Sequence, residues 1–181
     1  MKLKETALPG VMVVEMPVFR DSRGLFQETY NEEQFESAGL PTNWTQDNYS
    51  VSARNVVRGI HYQLARPQAK LVRVLRGSVF DVALDLRRSS PTFGHYVGVE
   101  LSEENRRALF IPEGFGHAFV ALSDDTSFMY KVTDSYDPTS ERTVLWNDPE
   151  LAIEWPSDVV EPIVSPKDSN GKLLRDADCF A

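Results

Sequence analysis

Three short segments of the sequence carry side chains that could move protons on and off carbon. His61 follows an Arg-Gly-Ile segment, Tyr130 stands beside a lysine, and Asp168 follows Ser-Pro-Lys. An imidazole with an unperturbed pKa near ~6.5 can take up a proton at physiological pH, a phenol can return one, and a carboxylate can orient the imidazole. The residues are far apart along the chain, so the sequence alone does not pair them. Without other information, Tyr130 would be a packed strand aromatic and Asp168 a cap of a terminal turn.

The two other histidines are His95 and His117. Residues 112–117 read Pro-Glu-Gly-Phe-Gly-His, which matches the second half-motif of the cupin jelly rolls, Pro-x-Gly-x-x-His. Metal-binding cupins supply a His-x-His pair and a glutamate from their first half-motif, whereas His61 is followed by Tyr62 and Gln63. Catalytic metal sites usually have about three protein ligands. The pattern therefore predicts a cupin-like fold without a metal, and no functional role for His95.

The amino-acid composition excludes some classes of binding partner. The chain has 181 residues, 19 Lys and Arg against 27 Asp and Glu, and a formal net charge of −8. This balance argues against nucleic acid or an anionic membrane as a partner, but a few local cations could still hold a phosphorylated small molecule. The single cysteine, Cys179, and the lack of a signal-peptide or membrane-spanning apolar run predict a cytoplasmic protein.

Short β-like runs recur between turn signals, and this spacing predicts a sandwich or barrel. Residues 81–86 alternate polar and apolar side chains, as expected of a half-buried strand. A short helix is predicted over 31–38, with Asn31 as its N-cap and Gly39 at its end. The tail from Asn147 should be mostly loop with short helical turns. The predicted strands are 11–14, 24–30, 44–51, 56–63, 71–75, 78–86, 96–101, 108–111, 118–122 and 127–132.

Several segments match one family in the same order along the chain. Residues 21–28 fit Asp-x-Arg-Gly-x-Phe-x-Glu, residues 46–50 fit Gln-x-Asn-x-Ser, and residues 58–63 contain Arg-Gly-x-His. Further matches lie at 77–82, 85–87, 91–94 and 165–168. Together they resemble the nucleotide-sugar 3,5-epimerases that act on dTDP-4-dehydro-6-deoxyglucose. This resemblance implies one domain over 1–181, an all-β, cupin-like jelly-roll β-sandwich with short peripheral helices, and no cofactor.

The resemblance also implies catalytic roles. His61 would be the base and Asp168 its support, while Tyr130 would return a proton from the opposite face of the sugar. Lys70 would stabilise the enolate oxygen at carbon 4, because a base alone is insufficient for this reaction. Inversion at carbons 3 and 5 would give dTDP-4-dehydro-L-rhamnose, in dTDP-rhamnose biosynthesis.

Substrate-binding roles follow from the same resemblance. Arg58 and Arg23 would hold the diphosphate, since a guanidinium matches phosphate oxygens. Arg23, Phe26 and Glu28 would reach into the neighbouring subunit's site in a homodimer, although Arg23 and Glu28 could equally form a surface ion pair. The other expected contacts to the dTDP-sugar come from Gln46, Asn48, His117, Tyr136, Glu141 and Lys167.

Three alternatives remain open at this point. A metal-dependent cupin would bind Fe, Mn or Zn, and a non-catalytic jelly-roll module would bind the nucleotide sugar without proton exchange. Within the family, an epimerase could act at carbon 3 only, for another dTDP-deoxysugar. The segment around Tyr136 is variable near the family's sugar pocket, which leaves this last alternative open.

Overall fold

Two sheets face each other in the computed structural model, which describes residues 1–181. The elements are β1 (Lys2–Glu5), β2 (Met12–Glu15), β3 (Val18–Asp21), β4 (Gly24–Gln27), α1 (Glu32–Ser37), β5 (Gln46–Ser52), β6 (Val56–Gln63), β7 (Lys70–Arg76), β8 (Ser78–Asp85), β9 (Tyr96–Ser102), β10 (Ala108–Ile111), β11 (Phe115–Ala121), β12 (Thr126–Val132), β13 (Glu141–Thr143), β14 (Ile163–Val164) and α2 (Pro166–Ser169). A 3₁₀ turn, Leu174–Asp176, follows.

The first sheet has the strand order β1-β2-β10-β7-β12-β5, and all its neighbours are antiparallel. The second has the order β13-β6-β11-β8-β9, with β14 added parallel to β6. Strands β3 and β4 form a separate hairpin. The predicted all-β sandwich with short helices is therefore confirmed.

The core between the sheets follows from the period-2 alternation of strand side chains. Val72 and Val74 of β7 point inward and pack in one cluster with Val79 and Ala83 of β8. Phe119 and Phe128 stack in the same cluster with ring centroids 4.3 Å apart. Removing this apolar surface from water holds the two sheets together.

The outer faces of both sheets are covered as well. Helix α1 and the chain around Trp44 pack on the first sheet, with Phe35 fully buried. The chain after Val144 packs on the second sheet. The prediction of a half-buried strand at 81–86 is therefore wrong, since Asp81 and Asp85 are both 0% exposed. Alternation of polar and apolar residues identifies an exposed face only in a strand that has one face in water. Both faces of β8 are covered.

Most predicted elements are present with small changes at their ends. Strands 56–63 and 108–111 are found as predicted, whereas the strand predicted at 24–30 ends at Gln27. The side chain of Asn31 caps α1 by accepting a hydrogen bond from the backbone N–H of Gln34. The sequence did not predict β1, β3, β13 or β14, which are four residues or shorter. None of the helices has the length and apolar character needed to cross a bilayer.

Candidate active site

A cavity of about 780 Å³ opens between the two sheets. Strands β5, β7 and β12 of the first sheet form one wall, and β6 and β11 of the second sheet form the opposite wall. Strand β14 and helix α2 close one side. The predicted site residues that line the cavity are Gln46, Asn48, Arg58, His61, Lys70, His117, Tyr130, Tyr136, Glu141, Lys167 and Asp168.

His61 and Asp168 form a hydrogen-bonded pair, as the resemblance predicted. Nε2 of His61 lies 2.6 Å from Oδ1 of Asp168, and the His61 side chain is 29% exposed against 4% for Asp168. Burial alone would raise the pKa of the Asp168 carboxyl, but the hydrogen bond and charge of His61 hold it below the usual value. The ionised Asp168 accepts a hydrogen bond from the N–H at Nε2, so Nδ1 of the neutral His61 ring carries the free lone pair.

Asp168 is held in position by a local helix cap and by a contact with β6. Ser165 caps α2 by accepting a hydrogen bond from the backbone N–H of Asp168. The second carboxylate oxygen of Asp168 accepts the backbone N–H of Gly59, two residues before His61. Only glycine fits at position 59, because its φ is +110° and a Cβ would lie 2.7 Å from the Cα of Ala118. Asp168 is thereby tied to β6 at two points.

Tyr130 lies on the wall opposite His61. It comes from β12 of the first sheet, whereas His61 comes from β6 of the second. Burial raises the pKa of its phenol, so the group keeps its proton at neutral pH. No protein group accepts that proton, and a base and an acid therefore face the cavity from two sides.

Lys70 contributes a buried cation to the Tyr130 wall. The residue is 7% exposed. Burial lowers the pKa of its ammonium to about 8, while the negative charges of Asp81 and Glu141 oppose this effect. A poorly hydrated ammonium is well suited to stabilise an oxygen on which negative charge develops.

His117 lies in the wall beside His61 and has its own carboxylate. The two histidines are Cα partners across β11 and β6. Nε2 of His117 lies 3.0 Å from both carboxylate oxygens of Asp81, and burial lowers the pKa of the imidazole. Sequence reasoning missed Asp81 entirely. The sequence signal that could have identified it is an aspartate inside a predicted strand, with apolar residues on either side of it.

A polar chain of contacts lies at the mouth of the cavity. The hydroxyl of Tyr136 donates to Glu141 over 2.9 Å, and Lys167 forms an ion pair with the same carboxylate at 2.5 Å. Burial would raise the pKa of Glu141, but the bonds from Lys167 and Tyr136 lower it. Arg58 is exposed at the rim, with its guanidinium bonded to Ser52. The Gln46 side chain donates to Asn48.

The three predicted residues of the N-terminal segment do not line this cavity. Arg23 is paired with Asp21 and its side chain is 88% exposed. Phe26 is 68% exposed at the end of the hairpin. Glu28 accepts hydrogen bonds from Asn31 and Gln34 of its own chain. These residues therefore make no contribution to the site of the chain that carries them.

The cavity has two imidazoles, but in each ring the Nε2 atom is hydrogen-bonded to an aspartate. No group of three or more His, Cys, Asp or Glu side chains converges as a ligand set for a metal ion. His95 is exposed and lies outside the cavity.

Comparison with known proteins identifies the family. A family model described as dTDP-4-dehydrorhamnose 3,5-epimerase matches residues 5–176. The chain belongs to the dTDP-4-dehydrorhamnose 3,5-epimerase family. A relative of that name from Pseudomonas aeruginosa is 54% identical over 181 residues and is covered, like this chain, to 99%. A dTDP-4-dehydrorhamnose 3-epimerase from Streptomyces niveus is 43% identical over 98% of this chain and 86% of its own.

Solved structures show that the similarity to this family includes the fold. A dTDP-6-deoxy-D-glucose-3,5-epimerase from Legionella pneumophila, solved in complex with dTDP-4-keto-L-rhamnose, superposes with a TM-score of 0.94. The two sequences are 45% identical, and the match covers 98% of this chain and 94% of the other. The structural match to this 3,5-epimerase thus extends over nearly the whole chain.

Proposed function

We propose that this chain is a dTDP-4-dehydrorhamnose 3,5-epimerase that converts dTDP-4-dehydro-6-deoxy-D-glucose to dTDP-4-dehydro-L-rhamnose, in dTDP-rhamnose biosynthesis. The observation that carries the proposal is the placement of the His61–Asp168 pair and the protonated Tyr130 on opposite walls of one cavity. Inversion of a carbon centre requires a proton to leave from one face and to return on the other.

The chemistry of a 4-ketosugar fits these groups. The ketone makes the hydrogens on carbons 3 and 5 acidic, because the electron pair left behind can move onto the carbonyl oxygen. That oxygen becomes negative in the transition state and needs a preorganised cation or donor. Lys70 supplies the cation, and its burial keeps competing water away.

Each inversion proceeds in two proton transfers. Nδ1 of His61 removes the proton from the carbon, the electron pair forms the enolate, and Lys70 stabilises the enolate oxygen. Tyr130 then donates its proton to the other face of the same carbon, and the ketone forms again. Solvent returns a proton to Tyr130 and takes one from His61. A flip of the sugar ring presents the second carbon to the same pair, and no cofactor takes part.

Substrate binding is assigned to the rim and mouth of the cavity. Arg58 is exposed beside the cavity and holds the diphosphate. Gln46 and Asn48 contact the nucleotide or sugar, and Tyr136, Glu141 and Lys167 contact the sugar side. A reducing compartment such as the cytoplasm suits the single cysteine.

The site is completed by a second copy of the chain in a homodimer. The β3–β4 hairpin presents Phe19 and Phe26 to solvent at 61% and 68% exposure. Exposed aromatics grouped on one hairpin are typical of protein interfaces. In the dimer, Arg23, Phe26 and Glu28 approach the neighbour's cavity, where Arg23 adds a cation for the diphosphate.

The direct test is incubation with dTDP-4-dehydro-6-deoxyglucose in heavy water, followed by NMR. Deuterium at both carbons 3 and 5, with formation of the L-rhamno product, is expected. The matched control is His61→Asn, which should bind dTDP and leave both carbons unlabelled. Binding of the substrate by the wild type with no label at either carbon would reject the enzymatic function and favour a binding module.

A 3-epimerase is the second candidate, because a relative of that name is 43% identical. It predicts deuterium at carbon 3 alone in the same spectrum. The exposed Tyr136 would then be the first residue to vary, since it lies at the sugar side of the cavity and bonds to Glu141.

A further inference from the structure

Asp81 is a buried carboxylate beside the cavity that the proposed mechanism does not use. It lies on β8 and is 0% exposed. It does not line the cavity, and its hydrogen-bond partner is the ring of His117. A buried carboxylate is costly unless charged or donating groups compensate it, so its neighbours indicate its role.

Two groups that line the cavity lie on the same inward side of the sheets as this carboxylate. Asp81 and Lys70 both occupy inward positions, since Asp81 alternates with Val79 and Ala83 and Lys70 alternates with Val72. His117 lies between the sheets as well, with its ring stacked on Phe128 at a centroid distance of 6.0 Å. The aromatic contact and the bonds to Asp81 fix the orientation of this ring.

The hydrogen bonds also determine which nitrogen of His117 is free to accept a hydrogen bond. Nε2 is directed at Asp81, and no protein group bonds Nδ1. A carboxylate accepts hydrogen bonds, so the neutral ring carries its proton on Nε2. Nδ1 is then an acceptor in the cavity wall.

We propose that Asp81 is a positioning residue, which holds Nδ1 of His117 toward the sugar as a neutral acceptor and retains the ammonium form of the buried Lys70. This inference rests on the function proposed above, because it assigns tasks to two groups of that site. His117 accepts a ligand hydroxyl through Nδ1, and Lys70 keeps the charge with which it stabilises the enolate.

The electrostatics around Lys70 support a special role for Asp81. Burial lowers the pKa of Lys70 to about 8. The negative charge of Asp81 opposes this effect most strongly, followed by that of Glu141. The positive charge of Lys167 lowers the pKa further. Glu141 is already paired with Lys167. The other titratable groups of the cavity are Tyr49, Arg58, His61, Tyr62, His117, Tyr130, Tyr136 and Asp168.

The test uses the isosteric variant Asp81→Asn, whose amide oxygen can still accept a hydrogen bond from the N–H at Nε2. NMR of the lysine Nζ or Cε nuclei, with Lys70 assigned by its loss in Lys70→Arg, gives the pKa of Lys70 directly. Burial raises the pKa of the Asp81 carboxyl, whereas His117 and Lys70 favour its charged form. Removal of this negative charge should lower the pKa of Lys70. The alkaline limb of kcat/KM should move to lower pH by the same amount.

The matched control is Asp148→Asn. Asp148 is 1% exposed and accepts backbone N–H groups of Glu150 and Leu174 outside the cavity. This variant loses a buried carboxylate but should leave the titration of Lys70 unchanged. A Lys70 pKa that is the same in Asp81→Asn as in the wild type would overturn the proposal.

A second measurement does not depend on any variant. In ¹⁵N spectra of the wild type at pH 7, His117 should be neutral with its proton on Nε2, and an imidazolium or an Nδ1–H ring would also overturn the proposal. Neither NMR experiment requires turnover. An absence of deuterium exchange would therefore reject the enzymatic function without deciding the role of Asp81.

Discussion

His61 and His117 lie opposite each other on neighbouring strands, and each directs Nε2 to a different aspartate. The pair with Asp168 is partly exposed to the cavity, whereas the pair with Asp81 is buried. The same two residue types therefore serve different purposes. A ligand in the cavity can reach the ring of His61, whereas the ring of His117 is held in place by buried hydrogen bonds.

Replacement of His61 by asparagine should remove the base and leave binding intact. The rate of deuterium incorporation at carbons 3 and 5 is expected to fall by ~10²–10⁴-fold, the usual contribution of general base catalysis. The affinity for dTDP, measured by calorimetry, should stay within a few-fold of the wild type. Deuterium incorporation at the wild-type rate in this variant would show that another group is the base.

Replacement of Tyr130 by phenylalanine should separate the two proton transfers. His61 still removes protons, so deuterium should enter carbon 3 from the original face, while inversion falls by a factor on the order of 10² or more. NMR coupling constants of the labelled sugar distinguish retention from inversion. Equal loss of labelling and inversion would contradict the role of Tyr130 as the acid.

The activity should decrease as pH rises through about 8, because Lys70 loses its proton there. The sign follows from the charge, since only the ammonium form below this pKa stabilises an enolate. In Lys70→Arg the guanidinium stays charged, so this limb should disappear although the rate at pH 7 is lower. A limb near pH 8 that persists in Lys70→Arg would assign it to another group.

The pairing of Asp168 should make part of the stability depend on pH. Its pKa is lowered in the folded state, so its contribution is complete above the unfolded value of ~3.9 and is lost as pH falls through the folded value. The difference in free energy of unfolding between wild type and Asp168→Asn should therefore be present at pH 7 and shrink below pH ~4. Denaturant titrations at several pH values measure it, with Asp158→Asn as an exposed control. A difference that is constant down to pH 2 would refute this linkage.

Mixing two inactive variants should restore activity if the β3–β4 hairpin of one subunit completes the site of its neighbour. One variant carries Arg23→Ala and Phe26→Ala, and the other carries His61→Asn. In a mixed dimer, one site combines an intact cavity with an intact hairpin, so random exchange at equal amounts should recover about a quarter of the wild-type activity. No recovery after demonstrated exchange of subunits would contradict a shared site.

The sequence predicts the sandwich well because its signals are local. Alternation, turn residues and the capping of α1 by Asn31 all act over a few residues. Short strands such as β14 escape this reasoning, because two residues carry no periodic signal and the strand exists only through its pairing with β6.

The site is less accessible to sequence reasoning, because its distances are set by tertiary packing. The resemblance to a family pointed to His61, Tyr130 and Asp168, but residue types alone favoured structural roles for two of them. Asp81 was interpreted as part of an exposed face, since nothing in the alternation shows that both faces of β8 are covered. A charged residue within an otherwise apolar strand is therefore better interpreted as buried and paired with a second polar group.

The bond between His61 and Asp168 joins residues 107 positions apart. The two sheets are complete in sequence before β14 and α2 are synthesised, apart from the parallel addition of β14 to the β6 edge. The ring of His61 therefore lacks its carboxylate partner until the segment that carries Asp168 has docked on β6. In the proposed mechanism, proton transfer thus requires the docked C-terminal segment as well as the two sheets, so activity would report completed folding, which strand formation alone does not.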